Sequence, residues 1–159
     1  MGEIENLERV LREHPFFKGI DQKACATIVG CAANERFDAG EYIFREGGAA
    51  DKFYLLRHGN VALEVHVPGH DPIIVETLQE GDVLGWSWMV PPYRWRADAR
   101  ALYLVRAISL DAKCLREKYE SDHTLGLELF KRFVPIIARR VEAGRLQLID
   151  MYGKSRDKK

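Results

Sequence analysis

The chain of 159 residues is 47% hydrophobic and 30% charged, and its 24 basic residues balance 24 acidic ones. This length fits one domain, the composition excludes a disordered protein, and the balanced charge creates no general field that would attract nucleic acid. No apolar run reaches the roughly 18 residues of a membrane span, and the amino end lacks the pattern of a secretion signal. We therefore expect a cytoplasmic protein without membrane association.

Cysteine usage agrees with that location. Cys25, Cys31 and Cys114 form an odd set without the close clustering of a metal site, and the first two lie too far apart for a redox Cys-x-x-Cys motif. The sequence therefore predicts buried, reduced thiols.

Residues 4–33 have the apolar spacing of helices. One apolar stripe ends at Pro15 and is formed by Ile4, Leu7, Val10 and Leu11. A second apolar run, from Ala24 to Ala33, follows Asp21, which is a typical residue at a helix amino terminus. We expect helices throughout this part of the chain.

Residues 35–110 change to short runs of β-branched and aromatic residues, separated by turn signals about every ten residues. This spacing predicts a sandwich or barrel, and we expect a closed β-roll of about eight strands. The stretch "FYLLRHGNVALEV" is typical of a hairpin around Gly59-Asn60. From Val61 to Val67 the odd positions are apolar, which predicts a strand with one buried face.

Residues 111–152 return to helical spacing. Asp111 is a suitable cap for a short helix to about Tyr119, and a longer helix begins around Asp122. Its apolar positions alternate between four and three residues apart, as in a coiled-coil seam: Phe130, Val134, Ile137, Val141, Gly144, Leu148 and Met151. The sequence predicts a homodimer through this seam from Val134 onward. The alternative is one wide apolar face buried within the monomer.

A second stripe on the long helix, Leu129, Phe133 and Ile136, is expected to pack on the chain's own domain. Pro135 lacks an N–H and clashes with the preceding turn, so we expect a kink or a break there.

One stretch differs from the rest: "LGWSWMVPPYRWRADARA", residues 84–101, contains all three tryptophans of the chain. Aromatic rings and guanidinium groups at this density offer surfaces for stacking and for binding anions. The function of this stretch can be interpreted only together with the segments around it.

Three of those segments carry a resemblance: "RFDAGEYIFREGGAADKFYLLRHGNVALEV" (36–65), "LQEGDVLGW" (78–86) and "ADARALYLVRAISLD" (97–111). With the order of helices and strands, they resemble the cyclic nucleotide-binding domains of the catabolite activator protein and fumarate–nitrate regulator family, over about residues 15–152. The resemblance implies a mainly β fold: a jelly roll, or double-stranded β-helix, with N-terminal helices and a long C-terminal dimerisation helix. It implies one domain, residues 1–152, before a flexible tail at 153–159.

Transcription factors of this family continue after the long helix into a winged helix-turn-helix domain. This sequence stops at "LIDMYGKSRDKK", which leaves no room for one. We therefore expect a stand-alone regulatory domain that does not bind DNA directly.

In relatives that bind cyclic AMP or cyclic GMP, the phosphate-binding cassette reads approximately Phe-Gly-Glu-Leu-Ala, and later Arg-Ser/Thr-Ala. Backbone N–H groups and the arginine bind the cyclic phosphate, and the glutamate accepts the ribose 2′-hydroxyl. Here Gly85 keeps its place, but Trp86 stands at the glutamate position and no nearby residue replaces that glutamate. Counting back from Ala99 puts Trp95 at the arginine position, whereas a longer loop puts Arg96 there.

The resemblance thus assigns the candidate ligand site to Leu84, Gly85, Trp86, Ser87, Trp88, Arg94, Trp95, Arg96 and Ala97. Three interpretations stay open: a non-standard small ligand, anionic or aromatic; tryptophans that fill an obsolete pocket; and true cyclic nucleotide binding through Arg96. A fourth is a protein-interaction surface, because tryptophan, tyrosine and arginine dominate interface hot spots. Exposed rings would favour a partner, and buried rings a pocket or a plug.

An enzyme is the competing class. Cupins share the β-roll and bind metal through a His-x-His pair, and the nearest candidates here are His66 and His70, with His58 and Glu64 close by in sequence. His66 and His70 flank a Pro-Gly turn, which is typical of a solvated hairpin tip. No nucleophile–base pair stands out, so we expect a non-enzyme without a metal.

Overall fold

The computed structural model describes the main chain of residues 2–156 and all of their side chains except those of residues 3–5, 155 and 156. The predicted contribution of Ile4 to the first stripe, and residues 157–159 of the expected tail, lie outside the described residues.

The N-terminal part is helical, as predicted. Its elements are α1 (Gly2–Glu13), α2 (Gln22–Ile28) and short 3-10 helices at Pro15–Phe17 and Val29–Cys31. Asp21 caps α2, since its Oδ2 accepts a hydrogen bond from the Ala24 amide at 3.4 Å. The helical part ends earlier than expected, because Ala32 and Ala33 already belong to the first strand.

Eight strands follow, which confirms the predicted β-roll. They are β1 (Ala32–Phe37), β2 (Tyr42–Phe44), β3 (Lys52–His58), β4 (Val61–Val65), β5 (Ile73–Leu78), β6 (Val83–Leu84), β7 (Asp98–Ala101) and β8 (Val105–Asp111). They pair antiparallel in two four-stranded sheets, in the orders β1-β8-β3-β6 and β2-β7-β4-β5. The core lies between these sheets and under the helices.

The hairpin predicted around Gly59 is wrong. Strands β3 and β4 belong to different sheets, so the turn carries the chain from one sheet to the other. Gly59 has a φ of 90°, and a Cβ at this position would overlap the Leu104 carbonyl. A tight turn with a left-handed glycine is therefore present, but it joins two layers rather than two paired strands.

Strand β4 also differs from its prediction of one buried face. Ala62 and Glu64, at the even positions, are buried as well as Val61 and Leu63. Glu64 tolerates this because Arg100, on the neighbouring β7, donates from Nε to the Glu64 carboxylate at 2.6 Å. A paired charge can be buried where an isolated one cannot.

The C-terminal helices are α3 (Ala112–Ser121) and α4 (His123–Arg156). Asp111 caps α3 as predicted, accepting from the Cys114 amide at 2.8 Å. The helical assignment of α4 continues through Pro135, so the chain has no break there. It also continues past the expected start of the tail at residue 153.

The two apolar stripes of α4 have different surroundings. Leu129 and Phe133 are fully buried, and Ile136 packs partly buried against the same core, as predicted. The members of the predicted seam with the largest exposed fractions are Val134 at 59%, Val141 at 67%, Leu148 at 57% and Met151 at 68%, while Ile137 and Gly144 are half-buried. The alternative of one wide face buried in the monomer is therefore excluded. The homodimer itself stays a prediction.

The prediction of reduced thiols is wrong for two of the three cysteines. Cys31 and Cys114 form a disulfide with a Cα–Cα distance of 5.6 Å, and Cys25 is a buried free thiol. Strand pairing explains the contact, because the Ala32–Leu110 register brings the start of β1 beside the end of β8. Residues that flank those two ends meet, although they are 83 apart in sequence.

Among residues 2–156, we find no helix with the length and apolar character that crossing a bilayer requires.

Candidate functional site

The candidate site is built on residues 85–97, here called the aromatic loop, which joins β6 to β7. Leu84, at the end of β6, is fully buried in the core, and Gly85 follows with a φ of 96°. The Trp95 ring packs directly on this glycine, since a Cβ at Gly85 would lie 2.8 Å from the ring atoms. The turn into the loop therefore requires glycine both for its backbone angle and for space.

The Trp95 side chain forms one side of the site. It is buried, and its ring stacks on Phe44 with centroids 3.7 Å apart and planes 7° from parallel. The Trp95 backbone N–H donates to the Gly48 carbonyl at 2.9 Å, and its own carbonyl accepts from the Gly47 amide at 2.8 Å. If Trp95 occupies the family's arginine position, a fixed indole stands beside Gly85 where relatives have that arginine.

Trp88 belongs to the core. It is fully buried, stacks on Phe53 at 5.2 Å between centroids, and meets Phe133 of α4 edge-on at 5.5 Å. Its Nε1 has no hydrogen-bond partner among the described residues. Ser87, before it in a short 3-10 helix, is also buried. Both residues anchor the loop, and Ser87 also lines the cavity described below.

Arg116 of α3 holds the loop from outside. Its Nη1 donates to the Trp88 carbonyl at 2.8 Å, and its guanidinium lies 4.7 Å from the centroid of the Tyr93 ring. One side chain thus contacts both halves of the loop, and no sequence signal identified it.

Trp86 and Arg96 form the accessible part of the loop. Trp86 is half-buried, Arg96 is exposed, and the Arg96 guanidinium lies 5.2 Å from the Trp86 ring centroid, a cation–π arrangement. Among the side chains that the structure describes, Arg96 has no partner in an ion pair or a hydrogen bond. Arg94 points elsewhere and donates to the Gly47 carbonyl at 3.4 Å. Of the two arginines, Arg96 is the one that lines the cavity described next.

A cavity of about 220 Å³ lies between the loop, the second sheet and α4. The loop contributes Gly85 to Ser87 and Trp95 to Ala97, which brings most of the sequence-predicted site residues together. Leu84, Trp88 and Arg94 are not among its lining residues. The long helix provides the facing wall.

The sequence prediction missed the lining residues outside the loop, and three of these are polar: Glu76 on β5, and Arg140 and Gln147 on α4. Arg140 donates from Nη2 to the Val83 carbonyl at 2.6 Å, and its Nε lies 3.4 Å from the Glu76 carboxylate. Gln147 donates to the Val75 carbonyl at 3.0 Å. Glu76 brings a carboxylate to the cavity from a strand distant in sequence.

Burial lowers the pKa of Arg140, and the nearby Glu76 carboxylate opposes that effect. Pairing with Glu76 keeps the guanidinium charged in this setting. No short motif marks this pair, because its members are 64 residues apart and meet only through the packing of α4 on β5.

A second cavity of about 460 Å³ lies on the other side of Arg140. Arg132, which lines it, already donates to the Phe16 carbonyl at 2.7 Å and pairs with Glu128 at 2.7 Å. The larger cavity is lined by no residue of the aromatic loop, whereas the smaller one is lined by Gly85 to Ser87 and by Trp95 to Ala97. For this reason we place the site at the smaller cavity.

The histidines considered for a metal site are not gathered with it. His66 contacts the buried Asp98 carboxylate at 2.6 Å, so it is not the freely solvated residue that was expected. Burial alone would raise the pKa of Asp98, but the Glu46 amide at 2.7 Å and the Arg45 guanidinium at 3.3 Å lower it. In the described part of the chain, no three His, Cys, Asp or Glu residues are grouped as metal ligands.

The sequence and the fold are similar to those of known proteins. The sequence model of the cyclic nucleotide-binding domain matches residues 34–122. Human cGMP-dependent protein kinase 2 is 33% identical over 82 residues, which is 51% of this chain and 11% of the kinase. The CRP-like cAMP-activated global transcriptional regulator of Mycobacterium tuberculosis is 23% identical over 145 residues, which is 91% of this chain and 63% of that protein.

A crystal structure of a putative cyclic nucleotide-binding protein from Geobacter metallireducens superimposes with a TM-score of 0.75 at 26% identity, covering 84% of this chain and 97% of that one. The chain therefore spans about a tenth of the kinase and nearly all of the bacterial structure. Since the matched segment runs from β1 through the aromatic loop to the end of α3, and exceeds half of the chain, this protein belongs to the cyclic nucleotide-binding domain family of regulatory domains.

Proposed function

We propose that this protein is a non-catalytic regulatory domain whose aromatic loop and α4 bind a small anionic ligand with a planar ring, other than cyclic AMP or cyclic GMP. The observation that carries the proposal is the position of Arg96. Its guanidinium lies over the Trp86 ring beside the cavity, and it forms no ion pair among the described residues. A planar anion can stack on the indole and neutralise that charge.

The size of the cavity supports a small ligand. At about 220 Å³ it is below the range of about 300 to 1,000 Å³ that is usual for small-molecule pockets. The Trp95 ring fills the space beside Gly85, where the resemblance places the cyclic phosphate. A cyclic nucleotide would have to displace an indole that is stacked on Phe44 and fixed through its backbone.

The same residues argue for weak binding of cyclic nucleotides. Trp86 cannot accept a hydrogen bond from a ribose hydroxyl, and losing such an acceptor costs about 1 to 3 kcal/mol. Forcing a sugar against an indole adds a steric cost of about 1 to 3 kcal/mol. Together these reduce affinity by about two to four orders of magnitude.

The experiment uses a matched pair of probes and a matched pair of variants. Calorimetric titration with benzoate and with benzamide separates charge from ring shape, because the two differ in charge at similar size. We expect benzoate to bind more tightly, Arg96→Gln to abolish that preference, and Arg94→Gln to preserve it. Equal binding of the two probes, or no binding of either, contradicts the proposal and leaves the tryptophans as a plug.

True cyclic nucleotide binding is the second candidate, and one observation favours it. Glu76 and Arg96 both line the cavity, so a carboxylate for a ribose and a guanidinium for a phosphate are present there. The Glu76 carboxylate, however, lies 3.4 Å from Arg140 and would have to exchange that partner. A sub-micromolar dissociation constant for cyclic AMP or cyclic GMP in calorimetry would select this function over the first.

A docking role for the aromatic loop finds less support. Trp88 and Trp95 are buried and Trp86 is half-buried, so these rings do not form a surface cluster. We propose instead that protein contacts are made by α4, as a homodimer through its exposed stripe.

A further inference from the structure

The Cys31–Cys114 disulfide lies next to the helix that supports the aromatic loop. Cys114 is in the first turn of α3, and two residues later Arg116 donates to the Trp88 carbonyl at 2.8 Å. The same guanidinium covers the Tyr93 ring at 4.7 Å. A single side chain therefore connects the disulfide-bearing helix to the loop.

The surroundings of the two sulfur atoms suit thiol–disulfide exchange. Cys114 is half-buried, so a small thiol can approach the pair from its side. Lys118 lies one helical turn after Cys114. The Lys118 Nζ is close to Gly30, the residue before Cys31, since a Cβ built on Gly30 would be 3.7 Å from that nitrogen. A positive charge near a cysteine favours the thiolate, which is the form that attacks a disulfide.

Cys25 provides the contrast within the same chain. It is buried, with an exposed fraction of 1%, and its Sγ lies 3.8 Å from the Glu8 carbonyl oxygen. Burial raises the pKa of Cys25, and the Glu8 carboxylate raises it further. This thiol stays protonated and unreactive, which makes it the natural control.

We propose that Cys31 and Cys114 are a thiol-modification site whose oxidation state sets the position of the aromatic loop, and that it reacts with low-molecular-weight thiols and disulfides. In oxidation, one protein thiolate attacks the small disulfide and expels a thiolate. The second protein thiolate attacks the resulting mixed disulfide and expels the other. Two protein thiols and one small disulfide thus become one protein disulfide and two small thiols, with two electrons transferred.

The packing of α3 indicates which contacts change when the disulfide is reduced. The bond ties the residue before β1 to the first turn of α3, across a separation of 83 residues. Ala112 and Leu115 of α3 are fully buried, so the helix remains packed when the bond is reduced. Reduction removes the covalent tie at Cys114, and we expect the Arg116 side chain, two residues further along this packed helix, to hold the loop less firmly.

The chain contains its own reporter for this change. All three tryptophans lie in the aromatic loop, so tryptophan emission reports on this loop alone. The measurement needs no ligand, and its outcome is therefore independent of the proposed function. We expect emission to shift to longer wavelength in reduced glutathione and to return in oxidised glutathione.

Variants test whether the emission shift depends on the Cys31–Cys114 pair and on the Arg116 contact with the loop. Cys25→Ser should shift like the parent, whereas Cys31→Ser and Cys114→Ser should show the reduced emission in both buffers. Arg116→Gln should still form the disulfide, seen by mass spectrometry after alkylation, but its emission should no longer depend on the buffer.

Four results would overturn the proposal. These are no disulfide between Cys31 and Cys114 in oxidised glutathione, identical emission in both buffers, an Arg116→Gln variant that responds like the parent, and loss of the far-ultraviolet circular dichroism signal on reduction. The last would make the bond a requirement for folding rather than a modification that acts on the loop.

Discussion

The ring of Trp95 lies so close to the Cα of Gly85 that a methyl group on that glycine would be 2.8 Å from ring atoms Cη2 and Cζ3. The glycine also has a φ of 96°, where a side chain is strained. Gly85→Ala should therefore destabilise the fold by about 1 to 3 kcal/mol, measured by urea unfolding, and should change tryptophan emission.

The matched control is Gly69→Ala. Gly69 has a similar φ of 80°, but a Cβ there meets nothing within 4 Å. It shares the backbone strain without the contact, so it should lose less stability and leave tryptophan emission unchanged. Equal losses in the two variants would mean that Trp95 moves aside without resistance.

Restoring the family's side chains should create cyclic nucleotide binding. In Trp86→Glu/Trp95→Arg, a carboxylate and a guanidinium replace two indoles, which adds the missing acceptor and opens space beside Gly85. Calorimetry should show tighter binding of cyclic AMP than in the parent, and Trp86→Glu alone should gain less. If the double variant binds no better, the pocket is closed by more than these two side chains.

The exposed stripe of α4 predicts a dimer that a single charge disrupts. Val141→Asp places a carboxylate in the middle of the apolar seam, which costs several kcal/mol if it is buried without a partner. Light scattering should then give a smaller mass than for the parent. Leu146→Asp is the control, because Leu146 is 57% exposed on the same helix but lies off the seam. A Val141→Asp protein of unchanged mass would refute the interface.

Stability should fall in mildly acidic solution because of His14. Burial lowers the pKa of His14 below 6.5, although its hydrogen bond to the Leu56 carbonyl opposes this. Its Nδ1 accepts from the Phe16 amide at 3.2 Å, so the folded state holds the neutral ring. The unfolded chain takes up a proton first as the pH decreases. The stabilisation is therefore complete above about pH 6.5 and decreases below it, by up to about 1.4 kcal/mol per pH unit.

Unfolding in urea at about pH 7.5 and about pH 5.5 measures this dependence. His14→Gln keeps a donor for the Leu56 carbonyl and has no titrating ring, so its stability should change less over the same interval. A parent protein that is equally stable at both values would show that His14 does not control the acid response.

The local elements could be predicted because their signals are local. Asp21 and Asp111 cap helices through bonds that span three residues, and the buried stripe of Leu129 and Phe133 follows from helical spacing. The same holds for the number of strands, which turn residues divide. For these features a residue's neighbours in sequence are also its neighbours in space.

The misses concern contacts between distant residues. Gly59 signals a tight turn but does not tell whether the strands pair, and the burial of Glu64 depends on Arg100 of another strand. The Arg140–Glu76 pair likewise depends on where α4 crosses β5. The family resemblance located the loop, but it could not reveal which side chains on other elements would face it.

One residue of α4, Gly144, belongs to two surfaces at once. It lines the cavity beside the aromatic loop and also lies on the line of the predicted seam. Arg140 and Gln147 attach the cavity side of this helix to the Val83 and Val75 carbonyls, while Val141 and Leu148 are exposed along the seam. Binding of a ligand in the cavity and dimerisation through the seam would then both act on α4. If a ligand changes the affinity between subunits by some factor, dimerisation must change the affinity for that ligand by the same factor.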